Sequence, residues 1–337
     1  MSGLIRKLIE SYPTQVLQAI ALGKQQQLAT PSAEIRQVVI AGLGGSGIGG
    51  SLVKALTVQT LSVPVEVLKS YDVPAWIGKH TLVLASSHSG NTEETLTVVQ
   101  QAATKGAQIV AITTGGQLAN WAKANGWDWV QMPFEEPCPR QFLAYSLIAQ
   151  LYVLINLGLA PAALAADIEE GAALVQASQD SIQQTARAIA ARCANRLPFI
   201  YADERLGALA LRFQQQINEN AKQMAHVNVF PEMNHNELVG WRLPVQHLQQ
   251  SVVILLRSTH NHPRVEVRMA VCEPIFRQLA ADVVHLPLQG NSLAAQVLHF
   301  IHLTDWVSYF LAEINGVDAY EIDVINHLKN KLATVSA

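Results

Sequence analysis

Short apolar runs alternate with helix-like segments through most of this 337-residue chain, and that alternation constrains its fold more than any other feature. Residues 81–85, Thr-Leu-Val-Leu-Ala, are typical of a strand that is buried on both faces of a parallel sheet. Leu96, Val99 and Ala103 follow at the spacing of the buried face of a helix. Because such units recur, we predict an α/β fold of doubly wound, mainly parallel sheets flanked by helices.

The alternation occurs in two series, and the chain is long enough for two hydrophobic cores. We predict an N-terminal helical arm at 1–35, a first domain at 36–158, a helical connection at 159–196 and a second domain at 197–337 that ends in a C-terminal helix. The predicted strands are 38–41, 65–68, 82–86, 109–113, 129–132, 198–201, 252–256 and 283–288, and the main helices are near 141–157, 206–224 and 293–314.

Hydroxyl side chains are concentrated in the loop 86–92, between a predicted strand and a predicted helix. The loop contains three serines, a threonine and Gly90, and it has no bulky apolar side chain. Hydroxyls and the first N–H groups of a helix suit a phosphate group. Because the loop has no lysine or arginine, it fits a small phosphorylated metabolite better than a nucleotide triphosphate with its metal ion. The alternative is an ordinary capped helix.

A second loop, Gly42-Leu-Gly-Gly-Ser-Gly47, matches the glycine pattern of dinucleotide-binding domains. That pattern also needs an acidic residue at the end of the second strand, but Glu66 lies within the strand, which ends at Lys69. The loop 86–92 would also be superfluous for a dinucleotide. Two strand-to-helix loops at one edge of a parallel sheet would instead converge on a single small ligand.

Composition excludes several classes of function. The net charge of −3 and the absence of a basic stripe argue against nucleic-acid binding. Three cysteines, far apart and odd in number, form neither a metal motif nor a disulfide framework, so we expect a cytoplasmic protein. No apolar run is long enough for a membrane span, and the N-terminus resembles a short amphipathic helix rather than a signal peptide.

Several further motifs occur together with the two loops. They are Pro139-Arg140, Ile-Asn-Glu-Asn-Ala-Lys at 217–222, Pro-Glu-Met-Asn-His-Asn-Glu-Leu-Val-Gly-Trp at 231–241, and Ile325-x-x-Leu328-Lys329. From about residue 36 to residue 332, the chain resembles the bifunctional phosphoglucose/phosphomannose isomerase family, whose members are tandems of two sugar isomerase (SIS) domains.

The resemblance implies a cytoplasmic enzyme of carbohydrate metabolism that acts in glycolysis and gluconeogenesis. Such an enzyme interconverts glucose 6-phosphate or mannose 6-phosphate with fructose 6-phosphate by proton transfer through a cis-enediol. It needs neither a metal nor a cofactor, and it works as a homodimer. The phosphate-binding residues that the resemblance implies are Gly45, Ser46, Ser87, Ser89 and Thr92.

The resemblance also implies four catalytic residues. Glu219 falls on the base of the family, and a partly buried carboxylate is a competent proton shuttle. His235 falls on the ring-opening histidine of the family, which reaches the active site of the neighbouring subunit. Histidine is a residue type suited to proton exchange at neutral pH. Lys329 assists ring opening, and Arg140 stabilises the charge of the enediolate.

From the residues alone, purely structural roles for these side chains remain open. Glu219 could form an ion pair with Lys222 on a solvated helix face. His235 could pack locally, Lys329 could be a solvated partner of the helix dipole, and Arg140 could simply begin a helix. His299 and His302 have a metal-compatible spacing near Asp305, but their apolar neighbours indicate packing residues.

Two departures from the family pattern bear on specificity. The family often has an aromatic residue in place of His88, where an imidazole would add a weakly basic donor. Ala319-Tyr320-Glu321 follows Asp318 where the family commonly has Asp-Pro-Thr-Pro, and a threonine there is associated with the mannose epimer. The preference between epimers therefore stays open. The alternative functions are isomerisation of another phosphosugar, such as an aminosugar, and a sugar-phosphate sensor without turnover.

Overall fold

The chain divides into two compact units. The computed structural model describes residues 2–133, 138–332 and 334. The N-terminal unit comprises Ser11–Ser178 and Leu288–Phe300, and the C-terminal unit comprises Met1–Glu10, Gln179–Pro287 and Ile301–Ala337.

The N-terminal unit contains a five-stranded sheet in which all neighbouring strands are parallel. The strands are β1 (Gln37–Ala41), β2 (Val65–Leu68), β3 (Thr81–Ser86), β4 (Gln108–Thr113) and β5 (Asp128–Gln131), in the order β2-β1-β3-β4-β5. All residues of β3 are buried, as expected for a strand with helices on both faces of its sheet.

The C-terminal unit contains a four-stranded parallel sheet. The strands are β6 (Leu197–Asp203), β7 (His226–Phe230), β8 (Ser251–Arg257) and β9 (Asp282–Pro287), in the order β7-β6-β8-β9. One face of this sheet packs against an apolar cluster that includes Tyr201, Trp241 and Phe276.

Helices connect the strands and cover the sheets. In chain order they are α1 (Ser2–Glu10), α2 (Tyr12–Gln25), α3 (Gly44–Thr57), α4 (Glu93–Thr104), α5 (Gly116–Asn125), α6 (Leu143–Asn156), α7 (Ala163–Ala177), α8 (Gln179–Cys193), α9 (Gly207–Ala221), α10 (Glu237–Gly240), α11 (Val245–Leu248), α12 (Pro263–Leu279), α13 (Leu293–Asn315) and α14 (Asp323–Leu332). Residues of α13 up to Phe300 belong to the N-terminal unit, and the rest belong to the C-terminal unit.

The prediction of a parallel α/β fold is confirmed, and every predicted strand is present with its ends shifted by a residue or two. The apolar pattern does not predict β7 or α12. β7 is one of the two edge strands of its sheet and is mostly half-buried, so it lacks a continuous apolar run. On α12, the exposed Val267 and Val271 obscure the helical period of the residues that face the core.

No helix in the described part of the chain is long and apolar enough to cross a membrane.

Candidate active site

The start of α3 is shaped by the glycine run that follows β1. Gly44 has a left-handed φ of +52°, and a Cβ on Gly47 would collide with the carbonyl oxygen of Gly42. Within the described residues no side chain caps α3, and its first turn contains no acidic residue. The first N–H groups of the helix are therefore available to an anion, with Ser46 in the same turn.

The loop 86–92 is closed by its own hydroxyl groups. Ser87 Oγ and Thr92 Oγ1 lie 2.9 Å apart, and the N–H of Gly90 donates to Ser87 Oγ at 3.1 Å. The N–H of Asn91 donates to Ser89 Oγ at 3.2 Å. Thr92 directly precedes α4, which has no side-chain cap among the described residues. Hydroxyls that can rotate and N–H groups at a helix start together form a phosphate-compatible surface.

The loop that follows β4 supports the loop 86–92 from one side. Thr114 Oγ1 donates to the carbonyl oxygen of His88 at 2.8 Å. The N–H of Gln117 donates to Asn91 Oδ1 at 2.9 Å. Thr114 and Asn91 are not among the predicted site residues, because a hydrogen bond between two loops leaves no periodic signal in the sequence.

Arg140 lies in a short 3-10 turn, Pro139–Gln141, that packs against the start of α3, and Arg140 is buried. A Cβ on Gly45 would lie 3.5 Å from the carbonyl oxygen of Pro139, so the turn packs against the start of α3. After the turn, Phe142 stacks on His88 with ring centroids 5.5 Å apart and an interplanar angle of 7°. The fold thus brings a guanidinium-bearing turn next to the phosphate-compatible surface.

Two basic side chains beside these loops have lowered pKa values. Burial lowers the pKa of His88, which argues against the weakly basic donor that the sequence suggested. Burial also lowers the pKa of Lys69, whose Nζ donates to Ser51 Oγ at 2.8 Å. Lys69 Cε lies 3.4 Å from where a Cβ on Gly47 would be. Lys69 was not among the predicted site residues. Its position directly after β2, at the sheet edge where the two loops lie, could have suggested that it is near them.

In the C-terminal unit, Glu219 lies in the last turn of α9. The apolar positions Leu209, Phe213 and Ile217 are buried, as their spacing predicts. Glu219 itself is half-buried, between the core-facing and solvent-facing sides of the helix. This environment is compatible with a carboxylate that must reach a ligand.

A buried polar network joins α9 to the second part of α13. Arg212 Nη2 and Asp305 Oδ1 form an ion pair at 3.0 Å, with side chains only 2% and 4% exposed. Gln216 Nε2 donates to the same carboxylate oxygen at 2.5 Å, and Asn220 Nδ2 donates to Ser308 Oγ at 2.9 Å. These bonds fix the rotation of α9 and hence the direction of its last turn.

The network also bears on the metal-compatible histidines. Asp305 is bonded to Arg212, His302 Nε2 lies 3.0 Å from Gln179 Oε1, and burial lowers the pKa of His299 to about 4. In the part of the chain that the structure describes, no cluster of three His, Cys, Asp or Glu side chains could hold a metal ion.

Lys222 directly follows α9, and its ammonium group bonds to the main chain at two places. Its Nζ donates to the main-chain oxygens of Glu219 and Glu321, at 2.7 and 2.6 Å. The ammonium group therefore bonds the end of α9 to the segment that precedes α14.

His235 is exposed at the end of a 3-10 turn, on a segment whose neighbours are held firmly. Asn234 Nδ2 donates to Cys272 Sγ at 3.1 Å, and Arg268 Nη1 donates to Asn234 Oδ1 at 3.2 Å. Both partners belong to α12. The backbone that carries His235 is therefore anchored while its imidazole faces outward.

On the other side of His235, the carboxylate of Glu237 is surrounded by donors. Tyr201 donates to one oxygen, while Asn228 Nδ2 and His226 Nε2 lie 2.5 and 2.9 Å from the other. Trp241 Nε1 in turn donates to the Tyr201 hydroxyl at 2.9 Å. Burial alone would raise the pKa of Glu237, but the bonds from His226, Tyr201 and Asn228 outweigh it and lower the pKa.

Lys329 lies on α14, whose described residues are all exposed. The apolar side chains Val324 and Leu328 on this helix are 82% and 57% exposed. Apolar packing therefore does not hold α14, and the segment before it must set its position.

Each unit contains one group of the predicted residues. In the N-terminal unit, the loops with Ser46, Ser87, Ser89 and Thr92 meet the turn with Arg140. In the C-terminal unit, Glu219, His235 and Lys329 lie on three separate elements, and Lys222 links the elements of the first and third. The N-terminal unit therefore offers anion-binding groups, and the C-terminal unit offers proton-transfer groups.

Comparison with known families assigns a domain to each half of the chain. Residues 33–153 match the SIS domain, and residues 182–332 match the bacterial phospho-glucose isomerase C-terminal SIS domain. The prediction of two SIS-type domains is confirmed.

Relatives with curated names match nearly the whole chain. The bifunctional phosphoglucose/phosphomannose isomerase of Caldicellulosiruptor bescii is 36% identical over 97% of this chain and 98% of its own length. The protein of the same name from Aquifex aeolicus is 33% identical over 91% of this chain and 93% of its own length. Among solved structures, the C-terminal domain of glucosamine-fructose-6-phosphate aminotransferase from Francisella tularensis has a TM-score of 0.71, with 14% identity and coverage of 94% of this chain and 96% of that one. The last likeness concerns the fold alone.

Proposed function

The chain belongs to the family of bifunctional phosphoglucose/phosphomannose isomerases, as its motifs predicted, and we propose that it interconverts glucose 6-phosphate and mannose 6-phosphate with fructose 6-phosphate. The main observation that supports this proposal is that the phosphate-compatible loops of the N-terminal unit meet at one sheet edge, beside the turn that contains Arg140. An aldose–ketose isomerase needs such an anchor for its phosphorylated substrate.

The phosphate group would bind to neutral donors. The N–H of Gly45 and the hydroxyl of Ser46 lie in the uncapped first turn of α3. Ser87, Ser89 and Thr92 would contribute hydroxyls, and α4 would contribute its first N–H groups. A small phosphorylated sugar fits these donors because it has no large second anion to neutralise.

Ring opening would be carried out by His235 and Lys329. His235 would exchange a proton with the ring oxygen while Lys329 assists at the hydroxyl group of the anomeric carbon. The exposure of both side chains supports this assignment, because each must reach a ligand. We propose a homodimer in which His235 acts on the substrate of the neighbouring subunit.

Isomerisation would then proceed at the open chain. The carboxylate of Glu219 would take the proton from C2 of the aldose, giving a cis-enediol, and would return it to C1 to give the ketose. Arg140 would stabilise the negative oxygen that forms during the transfer. Rotation about C2–C3 in the enediol would allow both epimers to be used.

The use of mannose 6-phosphate depends on the segment before α14. Ala319, Tyr320 and Glu321 stand where the family commonly has Pro-Thr-Pro. Tyr320 is ordered here by the bond of its N–H to Asp318 Oδ1 at 3.0 Å. We propose that both epimers are accepted, as in the names of the relatives.

We also propose that the protein is cytoplasmic and acts in glycolysis and gluconeogenesis. All three cysteines, Cys138, Cys193 and Cys272, are buried and none forms a disulfide, which is typical of a reducing compartment.

The deciding experiment is incubation of the purified protein with fructose 6-phosphate, followed by NMR detection of both aldose phosphates. Both products are expected. Binding of fructose 6-phosphate without either product would favour a sensor, and turnover of only an aminosugar phosphate would favour another phosphosugar isomerase. Glucose 6-phosphate alone would limit the activity to one epimer.

A further inference from the structure

Lys222 has an unusual backbone conformation for a lysine. Its φ of +54° lies in the left-handed region, where a side chain costs about 1 kcal/mol relative to glycine. Glycine is the common residue at such a helix end. The chain therefore accepts strain at this position, and the contacts of the lysine side chain offer a reason for it.

Those contacts join two elements. Nζ donates to the carbonyl oxygen of Glu219 at 2.7 Å, within the last turn of α9. It also donates to the carbonyl oxygen of Glu321 at 2.6 Å, two residues before α14 begins at Asp323. One ammonium group thus bonds the turn that holds the proposed base and the start of the helix that holds the proposed ring-opening lysine.

The side chain of Glu321 connects this contact to the first residue of α14. It accepts a hydrogen bond from the N–H of Asp323, the first residue of the helix. At the same place, Asn315, the last residue of α13, donates from Nδ2 to the carbonyl oxygen of Ala221 at 3.0 Å. The end of α9 and the segment 316–322 are therefore connected by side-chain bonds at both ends of that segment.

The exposure of α14 makes this connection important. All of its described residues are exposed, so the helix gains no rigidity from a packed apolar face. The direction of α14 then depends on its first turn and on the bonds that hold that turn. Lys329 is six residues beyond Asp323, so a small rotation at the start of the helix displaces its ammonium group considerably.

We propose that Lys222 is a positioning residue, which fixes the start of the Lys329 helix relative to the Glu219 turn. This rests on the proposed isomerase function. Lys222 itself does not transfer protons. It holds Lys329 in a fixed position relative to Glu219. Loss of the Lys222 side chain should therefore lower the turnover number more than it weakens substrate binding.

The test variant is Lys222→Gly, because glycine adopts the same φ without strain and removes only the side chain. We expect an unchanged or higher unfolding temperature, a kcat about tenfold lower and a KM within about twofold of wild type. Lys222→Arg should recover most of the activity, since a guanidinium group can also donate to two carbonyl oxygens. Lys222→Asn, which also tolerates this φ, tests the same loss if the glycine variant folds poorly.

Asn195→Gly is the matched control. Asn195 is the other non-glycine residue with positive φ in the described chain, at +56°, and it lies in the same unit. Relief of strain there should leave kcat unchanged.

Amide hydrogen exchange gives a readout that needs no activity. In Lys222→Gly we expect faster exchange in residues 317–332 and unchanged exchange in the middle of α9. Wild-type exchange in that segment, or faster exchange with wild-type kcat, would overturn the proposal. A wild-type protein without isomerase activity would overturn the proposed function, and the exchange data would still decide whether Lys222 holds α14.

Discussion

Glu237 and His226 lie 2.9 Å apart, between the carboxylate Oε2 and the ring Nε2, and this contact fastens the segment that carries His235 to the edge strand β7. Glu237 belongs to the motif 231–241, whereas His226 lies outside the motifs that suggested a function. The contact shows how an exposed histidine can be presented on an anchored backbone.

Glu237→Gln should destabilise the C-terminal unit. The NH₂ group of the glutamine would face the donors of Asn228 and His226, where the glutamate has an accepting oxygen. We expect the free energy of unfolding to fall by about 1–3 kcal/mol at neutral pH. Chemical denaturation measures this loss. Glu204→Gln, at an exposed glutamate in the same unit, is the control and should unfold like wild type.

The effect of Glu237→Gln should depend on pH. The pKa of Glu237 is lowered in the folded protein, whereas an unfolded glutamate titrates near about 4.3. The stabilisation is therefore complete above that value and is lost as the pH falls through the folded pKa. Unfolding temperatures of wild type and variant should converge below about pH 4, and a constant difference down to pH 3 would contradict the assignment.

Glu219→Gln should abolish proton transfer but not binding. An amide of the same shape cannot accept the C2 proton, so we expect a loss of about 10²–10⁴-fold in kcat with substrate affinity retained. Exchange of the C2 proton with solvent, followed by NMR in D₂O, measures the step directly. Glu204→Gln should exchange at the wild-type rate, and persistent exchange in Glu219→Gln would show that another group is the base.

Ser87→Ala should act mainly on substrate binding. The Ser87 hydroxyl holds Thr92 and the N–H of Gly90 in the loop, and its removal takes away one proposed phosphate donor. We expect KM to rise about tenfold while kcat changes little, because a phosphate contact is made equally in ground and transition states. Ser62→Ala, at an exposed serine of the same unit, should leave KM unchanged.

Mixed dimers test whether His235 acts across subunits. His235→Ala and Glu219→Gln should each be inactive as pure proteins. If His235 reaches the neighbouring subunit, a mixed dimer has one site with neither change, so co-refolded protein should recover about a quarter of wild-type activity. No recovery, with mixed dimers demonstrated by tagged purification, would place both residues in the same subunit's site.

Asp305→Asn should destabilise the protein strongly because it leaves the charge of Arg212 buried. The pair is almost fully buried, so we expect a loss of about 3–5 kcal/mol in urea unfolding. Glu10→Gln breaks the exposed pair with Arg6 in the same unit and should change stability far less. Similar losses in both variants would contradict a special role for the buried network.

Local patterns were sufficient for the fold class. The strands β1, β3, β4 and β8 and the apolar face of α9 follow from continuous apolar runs and helical spacing, which depend on neighbours in sequence. The motifs around Gly45, Ser87 and Glu219 were also sufficient for the family. The strand β7 escaped prediction, because an edge strand that is only half-buried carries no complete apolar pattern.

The sequence by itself determined the parallel α/β architecture, the family and the residue types available for phosphate binding and proton transfer. Only the tertiary structure decided which groups those residues meet. From the sequence, Asp305 could have been a metal ligand with two histidines, but in the structure it pairs with Arg212. From the sequence, Lys222 was a possible ion-pair partner of Glu219, and the structure shows that it also bonds to the main chain at Glu321. The physical reason is that these partners are 93 and 99 residues apart in the sequence, so only the packing of whole elements brings them together.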